Sequence, residues 1–346
     1  MSVSRRNAIA GGESTATRPG PMTAIVQDHF GPPDTLRLVD ADKPEIGSGE
    51  VLLKVHAAAV NPYDWHMVRG DPQIARLMGG VGVIRPKTRI AGVDVAGRVA
   101  EVGADVPDLR PGDEVFGFAR GAFAEYATAD AALVAPKPPG LSFEQAAAMP
   151  MAAVTALHAI RDRGRVQPGQ RVLVNGAAGG VGTFAVQIAA ALGAEVTGVC
   201  SARNADLVRS IGAAHIVDYA SEDFADPPAR FDVILDNVGN RTIRDLRRAV
   251  TPSGTVIVNG GGSPGHIIGA VGSILRAATV NLFVRQRITM VPTAWSRADL
   301  LAVAELVEAG TLRSVIDRSY PLAETVEGLR YVEAGHARGK VVIAVS

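Results

Sequence analysis

The sequence predicts an α/β protein: a doubly wound parallel sheet behind a smaller, β-rich amino-terminal unit. Three observations predict it. The first is the segment Asn175-Gly176-Ala177-Ala178-Gly179-Gly180-Val181-Gly182, which follows an apolar run at 171–174. It opens a stretch with apolar side chains at Val181, Phe184, Ala185, Ile188, Ala189 and Leu192, the spacing of one helix face. The second is a series of strand-like runs at 195–199, 215–218, 232–236 and 254–258, separated by helical or loop segments. That alternation is what parallel strands with crossover helices require. The third is a change of pattern before residue 141. Short β-like runs at 23–27, 51–58, 93–102, 114–118 and 123–128 are punctuated by Pro and Gly turns, the signature of a small antiparallel barrel.

The glycine-rich turn carries the chemistry. Between a strand and a helix, residues without side chains let backbone N–H groups approach a pyrophosphate at the positive end of the helix dipole. Against G-x-G-x-x-G the first position is Ala177, while Gly179 and Gly182 are in place, with Gly180 and Val181 between them. A dinucleotide is therefore expected here. An acidic residue about 20 positions on would receive the ribose hydroxyls of NAD. Nineteen residues beyond Gly182 lies Ser201, and 199–204 holds no Asp or Glu. Ser201 and Arg203 can instead donate to a 2′-phosphate, so NADPH is the expected cofactor.

A chain of 346 residues is long enough for two domains with full cores. Lys plus Arg and Asp plus Glu are both 35, which argues against a nucleic-acid partner. The single cysteine, Cys200, excludes an intrachain disulfide and suits a reducing, cytoplasmic compartment. No apolar run of membrane-spanning length exists, since 146–157 is too short and contains Pro150. A soluble protein without a membrane span is expected. Residues 1–21 are polar, with Arg5-Arg6 but no apolar segment after them, and are expected to be a disordered extension. A helix is predicted over 142–161, helices over 297–309 and 322–334, and a strand over 340–345 that returns to the first domain.

Four segments together resemble the medium-chain dehydrogenase/reductase superfamily, in its zinc-independent quinone oxidoreductase branch. They are Val60-Asn61-Pro62-Tyr63-Asp64, the segment 109–115 around Arg110-Pro111-Gly112-Asp113, Ala177 to Gly182, and Gly335-His336-Ala337-Arg338-Gly339-Lys340. The part from Ala304 to Lys340 is most similar to the reticulon-interacting mitochondrial oxidoreductase group. The resemblance implies a GroES-like domain over 22–150 completed by 295–346, and a Rossmann domain over 151–294. It also implies where a catalytic zinc would be held. The family's cysteine falls on Asn61, its His-Glu pair on Val93-Asp94 and its third ligand on Met151. A carboxamide, an isopropyl group and a thioether do not make a zinc site, so no metal is expected.

The same resemblance implies further cofactor contacts: Thr155 as a helix-start threonine, Tyr219 near the adenosine phosphate, and Lys340 near the nicotinamide. Asn237 and Val238, then Asn259 and Gly260, close the fourth and fifth strands, where open parallel sheets bind ligands. Without a Lewis acid, alcohol oxidation loses its main driver. The expected reaction is hydride transfer from NADPH to a quinone or an α,β-unsaturated carbonyl, whose own oxygen accepts the developing charge. Candidate residues at the acceptor are Asn61 through its amide, Tyr63 through its hydroxyl and His66 as a proton relay. Asn61-Pro62 is also a natural turn. The alternatives are an enoyl-thioester reductase and an NADPH-binding structural or regulatory protein. The former is disfavoured because Asp71-Pro72 lacks the tyrosine such relatives place there. The segment 71–89, with the apolar Met78 to Ile84, is expected to wall the acceptor pocket. An edge strand at 288–291 is expected to join two subunits as a homodimer.

Overall fold

The computed structural model describes residues 20–71, 82, 85–226, 230–259, 285–292 and 294–346. Most of the expected extension at 1–21 and most of the 71–89 segment, including Met78 to Val81, lie outside the described residues, as does Gly260. Pro21 already opens a strand.

The amino-terminal unit is built from β1 (Pro21–Val26), β2 (Arg37–Asp42), β3 (Glu50–Val60), β4 (Asp94–Val102), β5 (Glu114–Phe118), β6 (Tyr126–Asp130) and β7 (Val134–Pro136). β1 and β2 form an antiparallel pair. β3 is the hub of the larger sheet, paired antiparallel with both β4 and β6. The expected strand at 123–128 begins three residues later, because Phe123 and Ala124 bond to β1 and its neighbours as isolated links.

The second sheet holds β8 (Arg171–Asn175), β9 (Glu195–Cys200), β10 (His215–Asp218), β11 (Phe231–Asp236), β12 (Val250–Val258) and β13 (Arg287–Met290). Their order is β10-β9-β8-β11-β12-β13, and every pairing is parallel. This is the doubly wound order in which the chain reverses direction across the sheet between β8 and β11. The helix Gly180–Ala191 returns from β8 with Phe184, Ala185 and Ile188 buried. Phe184 is fully buried, and truncating such a side chain to Ala costs about 3–5 kcal/mol.

The predicted helix over 142–161 is three pieces: Phe143–Ala147, Pro150–Leu157 and a π-helical segment His158–Gly164. Pro150 starts the second piece because its ring suits a first helical turn and not an interior one. Alanines of these pieces pack both on the barrel residues Ala57, Phe116 and Phe118 and on Val174, Phe184 and Ala185, giving one core across the two sheets.

The tail returns as β14 (Ile316–Pro321) and β15 (Lys340–Ala344). β15 pairs antiparallel with β3, with Val341 opposite Val60. That register matters. It sets Lys340 beside Asn61, while the β3–β4 register sets Ala59 opposite Asp94.

Candidate active site

The carboxyl ends of the parallel strands form the edge at which open parallel sheets bind ligands. Gly176 holds φ +77°, a left-handed conformation that L side chains rarely adopt, so the tight turn falls there and not at Ala177. Ala177 is fully buried, its N–H donating to the Val199 carbonyl. A Cβ on Gly182 would stand 2.1 Å from the Gly176 carbonyl oxygen, so helix and turn meet where only glycine fits. Gly179 caps the helix, and Gly180 and Val181 form its first turn.

Around this turn the strand ends carry amides. The Asn175 side chain donates to Asp236 at 2.8 Å, Asn237 donates to the Asn175 carbonyl at 3.1 Å, and Asn259 donates to Asn237 at 2.8 Å. Asp236 also accepts from the Val238 and Gly239 N–H groups. This lattice fixes the turn after β11 and leaves Val238 47% exposed above Gly176. Exposed apolar surface in a site rim suits contact with a flat ring.

At the next strand end, Ser201 precedes a 3₁₀ turn that contains the exposed Arg203. Arg338, from the tail, donates to the Arg203 carbonyl at 3.4 Å. Two guanidinium groups thus sit at the position that lacks an acid. Tyr219 follows β10 and is 55% exposed, with its N–H bonded to the Cys200 carbonyl. Thr155 is half-buried in the last turn of Pro150–Leu157 and not at the helix start that the resemblance implied, since the helix begins five residues earlier at Pro150.

The deepest polar group lies where β3, β4 and β15 meet. Lys340 is 3% exposed, and its ammonium donates to Asn61 Oδ1 at 2.5 Å and lies 3.4 Å from Asp94 Oδ2. Asn61 Nδ2 donates to Asp94 Oδ2 at 3.0 Å, and the Met151 N–H donates to Asp94 Oδ1 at 3.0 Å. Asn61, Asp94 and Met151, the positions at which the family's zinc ligands fall, are therefore together, joined by a lysine. The lysine stem also reaches the cofactor turn, because a Cβ on Gly180 would stand 3.1 Å from Lys340 Cδ. Asn61 is engaged at both ends of its amide, so in this structure it holds Lys340 and Asp94 instead of facing outward.

Burial pushes the Asp94 carboxyl up, and the Lys340 charge and the Asn61 amide pull it back. Asp64, the third helical residue after Asn61, accepts the Asn61 N–H at 2.7 Å. Its other oxygen is buried without a partner among the described residues. Burial raises this carboxyl to about 7, against the Asn61 N–H that lowers it and with the Asp94 charge adding to the rise.

An aromatic wall adjoins the cluster. Trp295 stacks on Phe118 at 4.7 Å and meets the Tyr63 ring edge-on at 5.8 Å, and Phe118 is the β5 partner of Asp94. The Tyr63 hydroxyl makes no hydrogen bond among the described residues, and burial raises it above the usual phenol range. His66 stacks on Trp65, and its Nδ1 is buried without a partner among the described residues. Burial lowers His66, and the charges acting on it are Asp71, Glu333 and Arg69, not Asp94 or Lys340. The structure thus joins Asn61 and Lys340, sets Tyr63 against Trp295, and gives His66 a different set of charged neighbours. Asp64, Asp94, Trp295 and Arg338 are not singled out by sequence reasoning. Asp64 and Arg338 had a signal as parts of quoted motifs and Asp94 as the position of a family zinc ligand, whereas Trp295 had none.

Fold and site together define a nicotinamide-dependent oxidoreductase built on a parallel sheet. Comparison with known proteins agrees. A family described as "Alcohol dehydrogenase GroES-like domain" matches residues 47–139, and one described as "Zinc-binding dehydrogenase" matches 211–343. The Homo sapiens protein "NAD(P)H oxidoreductase RTN4IP1, mitochondrial" is 36% identical over 96% of this chain and 91% of its own length. The Solanum lycopersicum 2-methylene-furan-3-one reductase is 32% identical over 99% of this chain and 84% of its own. The solved quinone oxidoreductase from Coxiella burnetii superposes with a TM-score of 0.82 at 32% identity, covering 94% of this chain and all of that one. The chain belongs to the medium-chain dehydrogenase/reductase superfamily, in its quinone oxidoreductase branch. The zinc in the family description does not fit the residues here. Asn61 Oδ1 and Asp94 Oδ2 already face an ammonium, and Met151 offers a thioether where zinc takes thiolate, imidazole or carboxylate.

Proposed function

We propose that this protein is a zinc-independent, NADPH-dependent reductase that passes hydride to a quinone or an α,β-unsaturated carbonyl. The observation that carries the reading is the buried Lys340–Asn61–Asp94 cluster at the positions of the family's metal ligands, set against the cofactor turn. Relatives named as NAD(P)H oxidoreductase, furanone reductase and quinone oxidoreductase point the same way.

The backbone N–H groups of Gly179, Gly180, Val181 and Gly182 take the pyrophosphate at the helix N-terminus. Ser201, Arg203 and Arg338 take the 2′-phosphate, with Tyr219 beside them. Thr155, Asn237, Val238 and Asn259 border the nicotinamide half. When bound, the reduced nicotinamide supplies the hydride. The chain supplies the rest. Lys340 keeps one N–H beyond its two bonds, a positive charge for the cofactor or for the oxygen that gains charge. Asn61 and Asp94 hold that ammonium in place. Tyr63 offers its free hydroxyl to the acceptor oxygen, and the Trp295–Phe118 stack offers a flat wall for its ring.

The test is NADPH oxidation by chelator-treated protein, with a quinone and an enone, beside NADP⁺ reduction with a primary alcohol. Quinone or enone turnover that survives chelation, with no alcohol oxidation, supports the reading. Activity that disappears with chelator and returns with zinc would sink it.

The acceptor unit of this reading spans 22–150 with 295–346, and the cofactor unit 151–294. β13 is the outermost strand of the parallel sheet among the described residues, a position that supports a homodimer formed by edge pairing. The single buried Cys200 supports a cytoplasmic location. Cell fractionation decides this against the mitochondrial location in the relatives' names. No described helix is long and apolar enough to cross a membrane.

A further inference from the structure

At the amino ends of β11, β12 and β13, the edge opposite the cofactor turn, lies a shallow, solvent-open cavity of about 460 Å³. Five arginines line it: Arg230, Arg244, Arg247, Arg248 and Arg285, with Gln286. Arg230 immediately precedes β11, Arg285 stands two residues before β13, and the other three lie on the helix Ile243–Ala249. Residues 244, 247 and 248 are spaced i, i+3 and i+4, so they share one helix face. Arg247 and Arg248 lie in the last turn, where cations suit the helix dipole, but Arg244 lies in the first turn, where a cation does not.

Among the described residues no acid lines the cavity. Arg248 is paired with Asp245 at 3.0 Å, a carboxylate also engaged in capping its helix through Thr242. Arg230, Arg244 and Arg285 have no hydrogen-bond or ionic partner among the described residues. Arg247 is half-buried and built in: its Nε donates to Gln286 Oε1 at 2.8 Å, and Gln286 Nε2 donates back to the Arg247 carbonyl at 2.9 Å. A positioned guanidinium ringed by unpaired ones is the chemistry that takes phosphate, since the planar fork meets two phosphate oxygens at once. A quinone or enone gains nothing from such a lining.

We propose that this cavity is a second anion site, separate from the dinucleotide site, for a soluble molecule carrying two or more adjacent phosphates. Inorganic oligophosphate and the phosphate chain of a nucleotide share this chemistry. Five guanidinium groups match several phosphate charges better than a single carboxylate or sulfate.

The experiment is calorimetric titration of the full chain with tripolyphosphate and, separately, with ADP, each with and without saturating NADPH. The variant is Arg230→Ala/Arg244→Ala/Arg285→Ala, which leaves the Arg247–Gln286 lock intact, with Arg110→Ala as an exposed control. The expected result is one tripolyphosphate per chain, unaffected by NADPH. Binding weakens about tenfold or more in the triple variant, not in the control, and falls with added salt. Tighter binding of ADP than of tripolyphosphate assigns the nucleotide as the source. Competition with NADPH overturns the proposal, as does wild-type affinity in the triple variant or no saturable binding of either anion. NADPH titration of the same variant reports folding. Failure of NADPH to bind wild-type protein would sink the cofactor reading and leave this one standing.

Discussion

The turn at Gly176–Gly182 and the cluster at Lys340 are neighbours that work by opposite means. The turn functions through the absence of side chains: a left-handed backbone at Gly176 and a helix brought so close that Gly182 has no room for a Cβ. The cluster is built mainly from side chains, with Lys340 meeting Asn61 across 279 residues of sequence and Asp94 across 246, and one backbone N–H, from Met151, added. The first is steric and indifferent to pH. The second is electrostatic, and each member's charge depends on the others. Damage to the two should therefore differ in size, in rescue and in pH dependence.

The largest effect is expected at the cluster. Lys340→Met leaves the Asp94 carboxylate fully buried without its cation, and breaking a buried pair from one side costs about 3–5 kcal/mol. Adding Asp94→Asn removes the orphaned charge and should recover much of that loss. Urea denaturation of the three proteins at neutral pH measures it. A single variant as stable as wild type would show that the ammonium is not what balances Asp94. Gly182→Ala comes next. A Cβ 2.1 Å from a carbonyl oxygen forces turn and helix apart, at about 1–3 kcal/mol of strain. NADPH affinity should drop roughly ten- to a hundredfold, equally at pH 6 and pH 8. No second substitution among the polar residues should rescue it.

The same contrast explains what is legible in the sequence. Strand-turn-helix chemistry is local, so the Asn175–Gly182 spacing exposes the cofactor turn, and only the tight-turn glycine falls one residue earlier than the fingerprint puts it. The parallel strands are readable because each is a short apolar run between breakers. Asp94 and Asp64 stand at positions that the resemblance marks, but their roles as buried, partnered carboxyls are not readable. Their importance comes from strand register and burial, and an Asp in Gly92-Val93-Asp94-Val95 has no local mark of being the partner of a lysine 246 residues away. Asn61 and Lys340 are legible through resemblance, but their direct bond requires the β3–β15 pairing. The π-helical segment after Leu157 leaves no mark because the helical pattern continues through it.

Asp64 sharpens the pH side of the comparison. Its folded pKa is about 7 against 3.8 for an unperturbed aspartate, so the native protein holds a proton that the unfolded chain has already released. The sign follows: Asp64's contribution to stability is full below about pH 4, falls as pH rises and is gone above about pH 7. Asp64→Asn should flatten that slope, gaining stability over wild type at pH 8 more than at pH 5, by a few kcal/mol at most. Thermal melting at the two pH values tests it, and parallel shifts at both would show that Asp64 does not titrate in this window. At the cofactor's far end the effects shrink, because Arg203 and Arg338 are exposed and screened. Arg203→Ala and Arg338→Ala should each weaken NADPH by about tenfold and leave NADH unchanged. Equal losses for both cofactors in a fluorescence titration would remove the 2′-phosphate from this position.

The smallest effect tests whether the aromatic wall belongs to the cluster's chemistry or only to its packing. Tyr63→Phe keeps the ring against Trp295 and deletes a hydroxyl that has no hydrogen bond among the described residues. Because the hydroxyl has no partner to abandon among the described residues, folding stability should stay within about 0.5 kcal/mol. A hydrogen bond to a neutral acceptor contributes about 0.5–1.5 kcal/mol. Loss of one that strengthens as charge builds on the acceptor oxygen lowers kcat and kcat/KM together, by roughly three- to tenfold. A raised KM with kcat unchanged would instead make Tyr63 a binding surface. In that case charge on the acceptor would be met by Lys340 alone, and the division of labour between the wall and the cluster would be complete.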